Sequence, residues 1–239
     1  MFTRETIDDG FTLTTERLAL RWPRLADAAA IERLAGSKTV AETTALIPHP
    51  YPEGAAGQFI FASRLANARG DGLTLAITEK KRPRELIGVV ALQPPGFSGR
   101  SDCTHPFIGY WLGTEHWGRG YATEAVGAML RLGFAETGAA MISAEVLTRN
   151  VASLRVLEKL GFTAAGSGMA PFPARGGMLP VIRMERRRDA AENAGARQEA
   201  RLGDAWPTDS WPADSWPTDA SVASPAPADD DLLLPVAAE

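Results

Sequence analysis

His116-Trp117-Gly118-Arg119-Gly120-Tyr121-Ala122-Thr123-Glu124-Ala125 is the stretch on which the reading of this chain turns. A hydrophobic run, Phe107 to Leu112, leads into it, and a helix-forming run leaves it at Ala122. Two glycines let the backbone turn tightly and approach a ligand without side-chain clash. The first amides of the following helix then face that ligand from the positive end of the helix dipole. Such a helix entrance suits a phosphate. The same glycines also fit a plain strand-to-helix connection, because glycine is the usual turn residue.

Two common phosphate fingerprints do not fit. The dinucleotide pattern needs a third glycine where this chain has Thr123, and the Walker pattern needs a Gly-Lys-Ser/Thr triplet that does not follow Gly120. Further on, a strand at Met141 to Leu147 is followed by Asn150-Val151-Ala152-Ser153-Leu154-Arg155-Val156-Leu157-Glu158-Lys159-Leu160-Gly161-Phe162. Asn150 is a good helix N-cap with Ser153 at N3. Gly161 reads as the C-cap and Phe162 as core.

With both blocks in view, the chain resembles the GNAT superfamily of acyl-CoA N-acyltransferases, in the branch of ribosomal-protein N-terminal acetyltransferases. That branch shows WGKGYATEA after one central strand and NxxSxxVLEKLGF after the next; here stand WGRGYATEA and NVASLRVLEKLGF. The segments Thr15 to Arg21 and Pro48 to Pro52 extend the likeness, so it covers about Leu13 to Arg186. The resemblance implies an α/β fold. Its central mixed, mostly antiparallel sheet would carry a splayed parallel pair, the fourth and fifth strands, and about four flanking helices. It also implies acetyl-CoA as acyl-donor cosubstrate and an amine acceptor, either a small molecule or a protein N-terminus.

Site residues follow from the motif positions. Backbone N–H groups of Gly118, Arg119, Gly120, Tyr121, Ala122 and Thr123 are expected to cradle the diphosphate of CoA. The Arg119 side chain either adds charge or is a solvated turn residue. Trp117 stands where many relatives have a polar side chain. By the resemblance, Tyr110, Trp111 and Leu112 form the strand edge that pairs with the pantetheine arm, as a peptide adds to an open sheet edge. Leu112 N–H is then the oxyanion donor. Tyr110 and Trp111 point to opposite faces, so one of the two is assigned to core alone. The family's Asn at position 150 also touches CoA, which is compatible with its cap.

Glu145 is the expected acceptor of the amine proton by the same resemblance, against the alternative of a surface carboxylate on an alternating strand. Many relatives protonate the leaving thiolate from a tyrosine seven residues after the Asn. Leu157 stands there, so Ser153 is assigned that task, against the alternative of a first-turn helix residue. The attack is direct, needing no nucleophilic Ser or Cys, and Cys103 has no His at motif spacing. His49 and His105 read as polar surface, no metal is assigned, and His49 falls in the loop that shapes the acceptor pocket in relatives.

The 239 residues divide by composition. Residues 1–186 hold 21 Lys/Arg and 18 Asp/Glu, and residues 187–239 hold 4 and 11. The first part, mildly basic, does not suggest nucleic-acid binding. Residues 1–188 are expected to form the acyltransferase domain. Residues 189–239 read as a disordered acidic Ala/Pro/Asp/Trp-rich tail with a helical remnant over 190–202. Its Trp206-Pro207, Trp211-Pro212 and Trp216-Pro217 repeats suit either a solvated extension or a segment with a docking partner. The first ten residues lack a signal peptide's apolar run and no window could span a bilayer. A cytoplasmic monomer or homodimer is expected.

The coarse elements are a strand at Leu18 to Trp22, helices at Leu25 to Leu34 and Gly54 to Ala68, and a hairpin of Leu73 to Thr78 with Leu86 to Leu92 across a charged turn at Glu79 to Arg84. Phe107 to Leu112, Ala122 to Thr137, Met141 to Leu147 and Val151 to Leu160 follow. Phe162 to Ala165 and Leu179 to Met184 close the sheet. Loops Lys38 to Gly57 and Pro171 to Gly177 are expected to set the acceptor. Three functions stay open: N-acetylation, non-catalytic acyl-CoA binding, and an interaction protein acting through its tail.

Overall fold

The computed structural model describes residues 2, 6–97 and 104–189. Cys103 and the tail beyond Asp189, with its expected remnant helix, lie outside the described residues.

Two short strands, β1 (Thr12–Thr14) and β2 (Leu18–Arg21), pair antiparallel. A 3-10 turn at Leu25–Asp27 leads into α1 (Ala28–Ala35). Buried Arg21 fixes this junction by donating two bonds of 2.8 Å to the Asp27 carboxylate, which also accepts from Arg24 N–H at 2.7 Å. A fully occupied fork of this kind is what allows the charges to leave water. Then come α2 (Lys38–Ala41), α3 (Ala55–Arg69), β3 (Leu73–Glu79), β4 (Arg82–Gln93) and β5 (Phe107–Leu112). The chain closes with α4 (Tyr121–Thr137), β6 (Met141–Leu147), α5 (Val151–Lys159), β7 (Thr163–Phe172) and β8 (Gly177–Arg187).

The strands form one eight-stranded sheet in the order β1-β2-β3-β4-β5-β6-β8-β7. β5 and β6 run parallel, and every other neighbouring pair is antiparallel. The parallel pair follows from the α4 crossover between β5 and β6.

Alternation along each strand sorts side chains to two faces. Leu20, Leu75, Val90, Tyr110, Leu112, Ile142 and Val146 pack in the large core with α4. Ala76, Val89 and Trp111 pack on the other face with α1 and α3.

The fold of the expected class is present, with several element boundaries moved. The stretch from Leu25 splits into a 3-10 turn and α1 at Asp27. β1 and α2 were not expected; at three and four residues they are too short for a periodicity to register. The charged turn expected at Glu79 to Arg84 shrinks to Lys80-Lys81, because β3 and β4 stay paired to Glu79↔Arg82 through irregular register. The closing strands lengthen to Thr163–Phe172 and Gly177–Arg187, so part of the Pro171 to Gly177 loop is strand.

Candidate functional site

β5 and β6 touch only at their starts. Among the described residues, Phe107↔Ser143 is their single register pair, with Ser143 N–H donating to Pro106 C=O at 2.9 Å. Beyond it the strands part. On the other side β5 stays paired to β4 through Gly88↔Leu112, and Gly113 N–H donates to Ile87 C=O at 3.0 Å. Antiparallel pairing alternates the bonded residues. Gly109, Trp111 and Gly113 therefore turn their amides to β4, and Tyr110 and Leu112 turn theirs to the gap. On β6 the same parity, fixed by Thr148 N–H on Pro180 C=O at 3.1 Å, leaves the Glu145 backbone facing the gap.

The gap opens into a cleft of about 330 Å³ lined by Tyr110, Trp111, Leu112, Gly118, Asn150 and Ser153, among others. Gly118 and Gly120 both sit at positive φ, +71° and +78°. A Cβ on Gly118 would meet nothing within 4 Å, so its left-handed backbone, not crowding, requires glycine. The first intrahelical bond of α4 here is Glu124 N–H to Gly120 C=O at 3.0 Å. The amides of Tyr121, Ala122 and Thr123 precede it, and no side chain caps this end. The donors offered at this end of the cleft are thus backbone N–H groups, of a kind that suits an anion.

At the other helix, Asn150 Oδ1 accepts from Ser153 N–H at 3.1 Å and caps α5. Ser153 is buried, and its Oγ lies 2.8 Å from the Tyr110 hydroxyl. Tyr110 and Trp111 are each buried in the core of their own face of the sheet, and both also border the cleft. Leu157 is fully buried in core. The phenol nearest to Ser153 is that of Tyr110 on β5.

The remaining expected residues distribute unevenly. Ala122 and Thr123 line the cleft, and Tyr121 does so while donating its hydroxyl proton to Glu79 at 2.8 Å. That bond, with burial, raises the Tyr121 pKa. The Arg119 side chain does not line the cleft; it is a hydrogen-bonding neighbour of Tyr121. Trp117 Nε1 donates to Leu112 C=O at 2.8 Å, so this tryptophan anchors the turn to the end of β5. Glu145 does not line this cleft either. Its side chain lies on the face shared with Leu147, opposite Ile142, Ala144 and Val146, and hence opposite Ser153. Glu145 and the Tyr110–Ser153 pair thus lie on opposite faces of the sheet.

His116 was given no role in the sequence reading. It lines the cleft, its Nδ1 is buried without a hydrogen-bond partner, and burial lowers its pKa below the ordinary 6.5 against the pull of Glu115 and Glu79. Its position at the head of the glycine motif was the available signal. His49 instead bonds Gly36 C=O through Nδ1 at 2.8 Å.

The loops expected to set the acceptor are held by two arginines. Arg175 donates to the carbonyls of Ala41 and Ile47, and Arg149 to Glu42 C=O at 2.9 Å. Ala45, Leu147, Phe172 and Val181 form a small apolar cluster beneath them. Val40 and Thr43 of this segment reach the cleft wall. Among the described residues no cluster of His, Cys, Asp or Glu could hold a metal ion, and no helix is long and apolar enough to cross a membrane.

The sequence model of the acetyltransferase (GNAT) domain family matches residues 17–163. An uncharacterised protein YkkB of Bacillus subtilis is 39% identical over 95 residues, 40% of this chain and 54% of its own length. The chain thus spans about half of that relative. An uncharacterised N-acetyltransferase p20 of Bacillus licheniformis is 29% identical over 171 residues, 71% of this chain and 92% of its own. The ribosomal-protein-S5-alanine acetyltransferase of Vibrio fischeri has a similar fold: TM-score 0.61 at 20% identity, covering 75% of this chain and 97% of that one.

Proposed function

Because the chain belongs to the GNAT acetyltransferase family, we propose that it transfers an acetyl group from acetyl-CoA to a primary amine by direct attack, the amine being a protein N-terminus or a small molecule. One observation carries this reading: the parted strands β5 and β6 meet the uncapped entrance of α4 in a single cleft.

In this scheme the amides ahead of Glu124 hold the diphosphate, and the Tyr110 and Leu112 edge pairs with the pantetheine arm. Leu112 N–H faces the carbonyl oxygen as it gains charge. Glu145, on the far face, takes the proton of the attacking amine. Ser153, held 2.8 Å from the Tyr110 hydroxyl, returns a proton to the departing thiolate. The placement of Asn150 lets its carbonyl cap α5 while its amide nitrogen turns to CoA. The V. fischeri neighbour's acceptor, a ribosomal-protein alanine by its name, makes a protein N-terminus starting with Ala the first candidate.

We assign residues 1–188 to the catalytic unit, the remainder to an accessory tail, and the whole to the cytoplasm. A second reading, acyl-CoA binding without turnover, is favoured by Glu145 lying off the cleft wall. A panel of small amines and Ala- or Ser-starting peptides, followed by thiol release from acetyl-CoA, separates them. Release with at least one acceptor is expected. Tight CoA binding with no release across the panel contradicts turnover. Removing residues 190–239 is expected to leave release intact; its loss would favour a function residing in the tail.

A further inference from the structure

The phosphate cradle has a carboxylate beneath it. Glu124 lies in the first turn of α4, one turn after Gly120, where it competes with a bound anion for the same helix dipole. A like charge there opposes a diphosphate. The β1–β2 segment closes over this carboxylate. Glu124 Oε1 accepts from the Thr15 hydroxyl at 2.5 Å and Arg17 N–H at 2.7 Å, and Oε2 accepts from Arg17 Nε at 2.7 Å. Burial pushes the Glu124 pKa up, yet these bonds outweigh it and hold the carboxyl below its ordinary value, so the charge is present at neutral pH.

Arg17 does two further things. Its Nη1 donates to Arg119 C=O at 2.9 Å, turning that oxygen away from the cradle. Its guanidinium stacks 4.7 Å from the centre of the Tyr121 ring. Gly120 sits against it: a Cβ there would lie 3.4 Å from Arg17 Nη2.

We propose that Arg17 is a positioning residue, which masks the Glu124 charge under the phosphate-binding turn and fixes the Arg119 carbonyl outward, so that the turn presents donors alone to the diphosphate. This rests on acetyl-CoA being the donor. It assigns the segment Thr15-Glu16-Arg17 to cofactor affinity although it forms the β1–β2 turn, far in sequence from the motif.

The test is a double-mutant cycle on CoA affinity, with thermal unfolding as the control for folding. Arg17→Met should weaken CoA binding by about tenfold at low salt, and by less at high salt, as screening predicts. Glu124→Gln alone should leave affinity within about twofold of the parent. The double variant should recover to within about threefold, because the carboxylate needing a mask is gone. For acetyl-pantetheine, which lacks the diphosphate, KM and kcat should not move in any variant. A double variant as weak as Arg17→Met means that Arg17 does not act by masking the Glu124 charge, and the proposal falls. It falls equally if Arg17→Met binds like the parent. If Arg17→Met does not fold, Arg17→Lys, which keeps the charge, should stay within about threefold, and a tenfold loss there overturns charge masking. A parent protein with no CoA affinity contradicts the donor assignment itself, an outcome distinct from these.

Discussion

Residues 107–162, proposed to hold the cofactor, and the 38–57 segment with the β7–β8 turn, proposed to face the acceptor, are built on opposite principles. The first is local. Strand, glycine turn, helix and cap succeed one another, and the groups offered to a ligand are mostly main-chain amides. The second is assembled from afar. Arg175 reaches the carbonyls of Ala41 and Ile47 across more than a hundred positions, and Arg149 reaches Glu42 C=O in the same way. A backbone-made site tolerates side-chain change but fails when the turn itself is altered. A side-chain-made site varies freely and fails when one long-range contact is cut.

The sharpest contrast should come from Gly120→Glu. At φ +78° a glutamate strains the backbone by about 1–3 kcal/mol and places a carboxylate in the cradle. CoA affinity should fall by more than about a hundredfold by calorimetry, with cooperative unfolding retained. Unchanged affinity would break the comparison at its stronger side.

Next in size are Tyr110→Phe and Ser153→Ala. Each should lower kcat by roughly ten- to a hundredfold with little change in the KM for acetyl-CoA if, as proposed, the pair serves proton transfer and not binding. Equal loss in single and double variants would mark the pair, 2.8 Å apart, as one unit. An unaltered kcat in Ser153→Ala would return it to the role of a first-turn helix residue.

Arg175→Ala tests the acceptor half. It removes the donor to two loop carbonyls, costing about 1–3 kcal/mol in thermal unfolding. The acceptor KM should rise by roughly tenfold while that for acetyl-CoA stays put. A matched rise in both would mean that the halves are not separable.

The smallest effect expected is that of His116→Gln on pH dependence. The folded-state pKa of His116 is depressed, so the unfolded chain binds the proton more readily. Stability from this residue is complete above the ordinary value of 6.5 and falls as pH drops from there through the folded pKa. The variant should lose that part of the slope.

What the sequence disclosed follows the same division. The β5-α4-β6-α5 run was readable because each boundary has a local cause: Gly120 at positive φ, Asn150 as a cap, Gly161 at φ +81°. The Tyr110–Ser153 bond was not readable, since the partners are 43 positions apart and nothing in either motif names the other. Nor was the Arg17–Glu124 pair, although both residues stood inside quoted segments. Their meeting depends on the β1–β2 arm folding over the start of α4. Glu145 shows the limit from the other side: its strand and parity were legible, but which face borders the cleft is decided by packing of α5.

The central claim is that main-chain donors at the start of α4, together with the open edge of β5, grip a CoA thioester. Titrating CoA into the isotopically labelled protein and following backbone amide resonances reads those donors one by one. The account predicts large shifts at Gly118, Gly120, Ala122 and Thr123 and at Tyr110 and Leu112, with Gly109 and Trp111, whose amides face β4, moving far less. Saturating CoA that leaves the Gly118 to Thr123 amides in place would contradict it.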